Sequence, residues 1–126
     1  MPEVRFCQQV CRRENETTMT TQIARWQGQS GRIYDYEVFP IGTTFVEKPG
    51  NYIFAAVSGG MWKACYIGQT ENLKDRLGNH EKEACAKRNG ATYIHAHLTT
   101  GGEVARKAEE EDLIRLHKPP CNDQLK

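Results

Sequence analysis

The sequence predicts an α+β fold: a small antiparallel β-sheet of three core strands plus an N-terminal strand, flanked by helices. Three observations predict it. Residues 51–57 (NYIFAAV) and 61–67 (MWKACYI) are apolar, strand-like runs separated by Ser58, Gly59 and Gly60, which is a hairpin signal. Residues 92–98 (TYIHAHL) alternate strictly, as a strand with two different faces does. Between and after these runs, apolar residues recur at helical spacing.

Residues 1–24 are polar and weakly patterned, and read as a loose arm or short helix. Residues 33–41 (IYDYEVFPI) read as a strand, demoted toward a sheet edge by Pro40. Pro49 and Gly50 then punctuate the chain, dividing an extension over residues 1–48 from a domain over 49–126. In the hairpin, pairing Val57 with Met61 sets Tyr52 opposite Tyr66. Tyr52, Phe54, Ala56, Trp62, Ala64 and Tyr66 then share a face. Thr70 is the expected N-cap of a helix from residue 71 into the 80s, with Leu73, Leu77 and Ala84 as its buried stripe. Arg76 and His80 fall on that stripe's face, and Gly78 and Asn79 weaken the helix there. In the strand over 92–98, Ile94, Ala96 and Leu98 face the core and Tyr93, His95 and His97 face away. A last helix over 103–116 stops before Pro119 and Pro120.

With 126 residues and 38 % hydrophobic content, the chain has room for one domain with a small core. Seventeen Lys and Arg against 16 Asp and Glu exclude a strongly basic nucleic-acid coat, so any nucleic acid must be gripped at a local patch. The five cysteines, odd in number and without a secretory signal before them, fit incidental thiols in a reducing cytosol better than a disulfide framework. Cys7 and Cys11 lack a second pair or a His partner at zinc-finger spacing. No apolar run approaches membrane-spanning length, so the expected location is the cytoplasm.

Six residues stand out in order: Tyr52 in GNYIF, Tyr66, Arg76 and His80 in CYIGQTENLKDRLGNH, and Glu110 and Asn122 in EEEDLIRLHKPPCN. Alone, each has a bland explanation: a strand aromatic, a snorkelling cation, a solvated acidic run, a turn residue. Together, in this order, the set resembles the GIY-YIG nuclease family, over roughly the last three-fifths of the chain. Tyr66 lies 10 residues before Arg76 and Glu110 lies 12 before Asn122, spacings similar to those of the excision-repair members. The chain departs from the pattern twice. Asn51 stands where the family name has Ile, and Gln69 follows the YIG string where some members carry Lys; Lys63 or Lys74 are candidates to supply that charge. Among the three adjacent carboxylates, Glu110 shares a helix face with Leu113 and Ile114, Glu111 turns toward solvent, and Glu109 is harder to dismiss on periodicity.

The resemblance implies an endonuclease, of repair or restriction type, that hydrolyses DNA phosphodiesters with Mg²⁺ or Mn²⁺ held by Glu110. Carboxylate oxygen is the ligand Mg²⁺ prefers, and the ion keeps several waters, so one protein ligand suffices. Arg76 offers a donor fork matched to phosphate oxygens, and Lys63, Lys74 and Arg76 are the expected DNA contacts. The resemblance implies that Tyr66 deprotonates the water with Tyr52 or His80 assisting; whether His80 is itself the base or holds Tyr66 in its reactive state stays open. A free phenol titrates near ~10, and Arg76 with a metal is expected to lower that. Asn122 is expected to fix geometry by tying the C-terminal turn to the active-site face. His95 and His97, with no third ligand, read as a solvated or DNA-facing surface. The alternative is a catalytically inactive nucleic-acid- or protein-binding module on the same scaffold. Residues 1–48 are open to adding a strand, touching DNA through Arg5, Arg12, Arg13, Arg25 and Arg32, or forming a homodimer interface.

Overall fold

In the computed structural model, which describes residues 22–122, five strands form one antiparallel sheet. They are β1 (Ile23–Gln27), β2 (Ile33–Pro40), β3 (Gly50–Ser58), β4 (Met61–Thr70) and β5 (Tyr93–Leu98), in spatial order β1-β2-β5-β3-β4. Helices α1 (Leu73–Gly78), α2 (Glu83–Arg88) and α3 (Gly102–His117) flank the sheet. This is the α+β architecture expected from the sequence, with one strand more. Arg5, Arg12, Arg13, Cys7, Cys11 and most of the expected arm lie outside the described residues.

The extra strand is β1. Its buried Ala24 and Trp26 alternate with exposed Arg25 and Gln27, and it pairs with β2 from Ile23↔Glu37 to Gln27↔Ile33. β2 is therefore interior, not the edge strand that Pro40 suggested. Pro40 is its last residue, beyond the last described pair with β1, so the missing N–H interrupts no ladder between them.

The hairpin register also differs from expectation. Ser58 pairs with Met61, leaving a two-residue loop of Gly59 (φ 60°) and Gly60 (φ 77°), the positive-φ pair a type I′ turn requires. The ladder then shifts between Phe54 and Ala55, because Cys65 is an extra residue bulged out of β4. Tyr66 consequently lies opposite Phe54, and Tyr52 opposite Gly68. The bulge turns Tyr66 onto the face of Tyr52 and Phe54, while Trp62 and Ala64 stay on the other.

Both sheet faces are covered. On one, Phe39, Tyr52, Phe54, Cys65, Ile94 and Ala96 pack under Leu73 and Leu77 of α1, Ala86 of α2, and Phe45. On the other, Trp26, Tyr36, Ile53, Ala55 and Ile67 pack against Leu113 and Ile114 of α3. A fully buried residue such as Ile53, Ile67 or Leu113 contributes about 1.5–3 kcal/mol. Asp112 anchors α3 to the β1–β2 turn, accepting from Ser30 N–H (2.8 Å), Ser30 Oγ (2.7 Å) and Tyr34 Oη (2.8 Å).

Double coverage corrects the reading of His95 and His97 as surface. His95 is fully buried. Its Nδ1 accepts from Trp26 Nε1 at 2.9 Å, so the neutral ring carries its proton on Nε2. That nitrogen has no hydrogen-bond partner among the described residues; the ring packs at right angles to Trp62, with centroids 4.3 Å apart. His97 faces Glu109 Oε2 at 2.6 Å and the Leu98 carbonyl at 2.9 Å.

The single helix expected after Thr70 is two short ones. Asn72, not Thr70, is the N-cap of α1, its side chain accepting from Asp75 N–H. Thr70 Oγ1 instead accepts from Asn72 N–H at 3.0 Å. Gly78 and Asn79 end α1, and Ala84 is exposed, its expected place in the core taken by Ala86. Cys85 and Cys121 form a disulfide that ties α2 to the C-terminal turn, with Cα atoms 6.0 Å apart. This corrects the reading of those two cysteines as incidental thiols; 36 residues of separation concealed their proximity. No helix among the described residues is long and apolar enough to cross a membrane.

Candidate active site

Two phenols from neighbouring strands begin the site. The rings of Tyr52 and Tyr66 lie 6.3 Å apart with planes inclined by 27°. Tyr52 crosses over Gly68, where a Cβ would come within 2.5 Å of its Oη. Only glycine leaves that space.

His80, in the link between α1 and α2, closes over both rings, 5.5 Å from Tyr52 and 5.0 Å from Tyr66. Its Nδ1 accepts from Lys82 N–H at 2.9 Å, so the neutral ring carries its proton on Nε2. Nε2 then donates to Tyr52 Oη at 2.8 Å, leaving the Tyr52 proton free to point elsewhere. Burial, then the charge of Arg76, pushes His80 down to about 4, so the ring is neutral at pH 7.

Arg76, in the last turn of α1, places its guanidinium beside both phenols, pulling each toward the phenolate by charge and hydrogen bonding. Burial outweighs that pull. Tyr66 ends above its ordinary value, and Tyr52 further above, so Arg76 by itself does not lower either phenol. The outer edge of Arg76 is held by Glu81, Nη1 to Oε1 at 2.7 Å and Nη2 to Oε2 at 3.1 Å. This pairing holds Glu81 down at about 2. Nothing in the sequence reading singled out Glu81, because its role depends on the chain turning back after α1.

The carboxylate comes from α3. Glu110 is close enough to Tyr52 and Tyr66 for its charge to raise both. Burial, opposed by Lys107 and reinforced by Glu111, raises Glu110 to about 7. Glu110, Glu111, Ile114, Arg115, Lys118, Pro119 and Asn122 line a cavity of about 570 Å³. The neighbouring Glu109 is instead committed to the fold, accepting from Tyr36 Oη at 2.6 Å and facing His97 Nε2. Hydrogen bonding thus separates two carboxylates that periodicity left close.

Asn122 binds the outer side of β4. Its Oδ1 accepts from Ile67 N–H at 2.8 Å and its Nδ2 donates to Ile67 O at 2.9 Å, while Cys121 N–H donates to Cys65 O at 2.9 Å. The turn is thereby fixed beside Tyr66. Lys63 and Lys74, the other expected DNA contacts, stand apart from this group: Lys63 is exposed toward the hairpin end of β4, and Lys74 pairs with Glu47 at 3.5 Å. Tyr52, Tyr66, Arg76 and His80 are therefore together, Glu110 is electrostatically joined to them, and Asn122 braces the strand that carries Tyr66.

No group of three or more His, Cys, Asp or Glu side chains able to hold a metal occurs among the described residues. Glu110 alone fits a strongly hydrated divalent cation: it is half-buried, its carboxylate makes no hydrogen bond among the described residues, and it faces a cavity large enough for an ion with its waters.

Over 85 residues, 64 % of its length, the chain is 36 % identical to UvrABC system protein C of Hydrogenobaculum sp. (strain Y04AAS1). Over 86 residues it is 31 % identical to UvrABC system protein C of Desulforudis audaxviator (strain MP104C). The matched segment takes in 14 % of each of these much longer curated relatives. No family model matches the chain, and no solved structure matches it.

Proposed function

We propose that this chain is a divalent-metal-dependent endonuclease of the GIY-YIG type that hydrolyses DNA phosphodiester bonds. The observation that carries the proposal is the gathering of two phenols and a guanidinium from three elements, with the Glu110 carboxylate of a fourth coupled to both phenols by its charge and opening onto a cavity. The similarity to two UvrABC system C proteins supports it.

In this reading the scissile phosphate docks against Arg76, whose planar donors meet phosphoryl oxygens and compensate the charge that builds in the transition state. Glu110 holds Mg²⁺ or Mn²⁺, which when bound supplies Lewis acidity to the phosphoryl group and its leaving oxygen. Tyr66 acts as base in its phenolate form: it first gives its own proton to solvent, a loss that Arg76 and a bound cation would favour, and then takes the proton of the attacking water. His80 is poorly suited to that task, since its one lone pair is occupied by Lys82 N–H and its proton already faces Tyr52. His80 instead orients Tyr52, whose hydroxyl proton is left for Tyr66 or the phosphate. Asn122 keeps β4, and with it Tyr66, in register with this array.

One observation favours the second reading, a binding module without catalysis: the Arg76 fork is already filled by Glu81. A single experiment separates the two. Duplex, branched and damaged DNA are incubated with the chain, with and without Mg²⁺ or Mn²⁺, beside Glu110→Gln and Tyr66→Phe variants. The expected result is cleavage that needs the metal, is lost in Glu110→Gln, and falls about 10²-fold or more in Tyr66→Phe. Because Glu110 must be ionised to hold a cation, the rate is expected to rise with pH through about 7. Binding without cleavage of any substrate selects the second reading, and undiminished cutting by Glu110→Gln removes the metal assignment.

A further inference from the structure

Arg106 is 92 % buried on α3, at 8 % relative exposure, yet forms no ion pair among the described residues. A guanidinium is charged at any working pH, and buried arginines are ordinarily paired. Its Nε donates to Gln69 Oε1 at 2.9 Å. Among the described residues the two Nη nitrogens have no hydrogen-bond partner, and neither is sealed from solvent, so they open outward. The backbone is fixed as well: Asn51 Nδ2 donates to Arg106 O at 3.0 Å, while Asn51 Oδ1 accepts from Thr99 Oγ1 at 2.6 Å. Asn51 and Gln69 are the two positions at which the chain departs from the signature it resembles, and both bond to this one arginine.

We infer that Arg106 is a second phosphate-binding residue, one that grips a backbone phosphodiester of the nucleic acid next to the one held at Arg76 and Glu110. This rests on the nuclease reading and adds the missing contact to it. Arg106 stands four residues, about 6 Å along the helix axis, before Glu110. The Arg106 Nε is turned to Gln69 of β4, and it forms no ion pair with Glu110. Consistently, it is Lys107, and not Arg106, whose charge pulls Glu110 down. The guanidinium is therefore offset from the metal-binding carboxylate, as a contact to a flanking phosphate must be. Its preset position, with Nε held and the stem buried, leaves little side-chain freedom to lose on binding.

The test is the salt dependence of binding by the full chain. A fluorescent DNA duplex is titrated in EDTA, so that nothing is cut, at several salt concentrations, with wild type, Arg106→Lys and Arg106→Met. Arg106→Met is expected to weaken binding about tenfold and to reduce the slope of log K against log salt by about 0.9, one phosphate contact. Arg106→Lys keeps the charge and is expected to keep the slope. Thermal melting of both variants shows whether the fold is intact. An unchanged slope in folded Arg106→Met overturns the inference while leaving the nuclease reading standing. Absence of DNA binding by wild type overturns both.

Discussion

Gly68 is where one hydrogen atom in place of a methyl group decides the site. An alanine there would push its Cβ to 2.5 Å from Tyr52 Oη, so either the phenol or β4 must move. Gly68→Ala is expected to cost about 1–3 kcal/mol of stability. It is also expected to remove cleavage, because Tyr52 would lose its 2.8 Å hydrogen bond to His80; denaturant unfolding and a nicking assay read the two effects separately. At this scale the sequence was legible wherever a residue's role follows from its order along the chain. Tyr52, Tyr66, Arg76 and Glu110 emerge that way. Glu81 and Arg106 do not, since each matters through a partner brought to it by the fold: Arg76 in the first case, Gln69 across 37 residues in the second. Glu109 shows the converse. Its position on the helix resembles that of a site residue, and only its bond to Tyr36 reveals a structural duty.

The elements were legible in kind more than in detail. Alternation predicts β3, β4 and β5, but a bulge is a single extra residue in an unbroken apolar run, and nothing in MWKACYI marks Cys65 as that residue. The same blindness joined α1 to α2: Gly78 and Asn79 were visible as weak helix formers, yet only packing shows that the chain breaks there to bring His80 inward. Short β1 carries five residues, too few for its pattern to rise above its polar surroundings. The covalent tie between α2 and the C-terminal turn belongs to this scale too. Closing a loop of 36 residues restricts the unfolded chain, and its reduction is expected to cost about 4 kcal/mol. Melting with and without reductant, alongside a Cys85→Ser, Cys121→Ser double variant that no longer responds to reductant, checks this.

For the whole molecule, the two buried imidazoles govern the response to acid. His80 is pushed down to about 4 and His95 to about 3, both from an ordinary value near 6.5. Between those values the unfolded chain binds more protons than the folded one, so stability is full above about 6.5 and falls as the pH drops toward 3–4. Glu110 works the other way. Raised to about 7, it holds its proton in the folded state, and its contribution fades as pH rises from the ordinary carboxylate range through 7. The expected profile of unfolding free energy therefore has a steep acid limb, which His95→Phe is expected to flatten; equilibrium unfolding at a series of pH values measures it. The sheet itself ends at β4, whose outward peptide groups would otherwise offer a template to any extended chain. The amide of Asn122 answers Ile67 with one donor and one acceptor, as an added strand would. A carboxamide thereby does the work of a sixth strand. It guards the flank of the molecule against stacking onto copies of itself, at the very place where the tyrosine strand must stay open to a substrate.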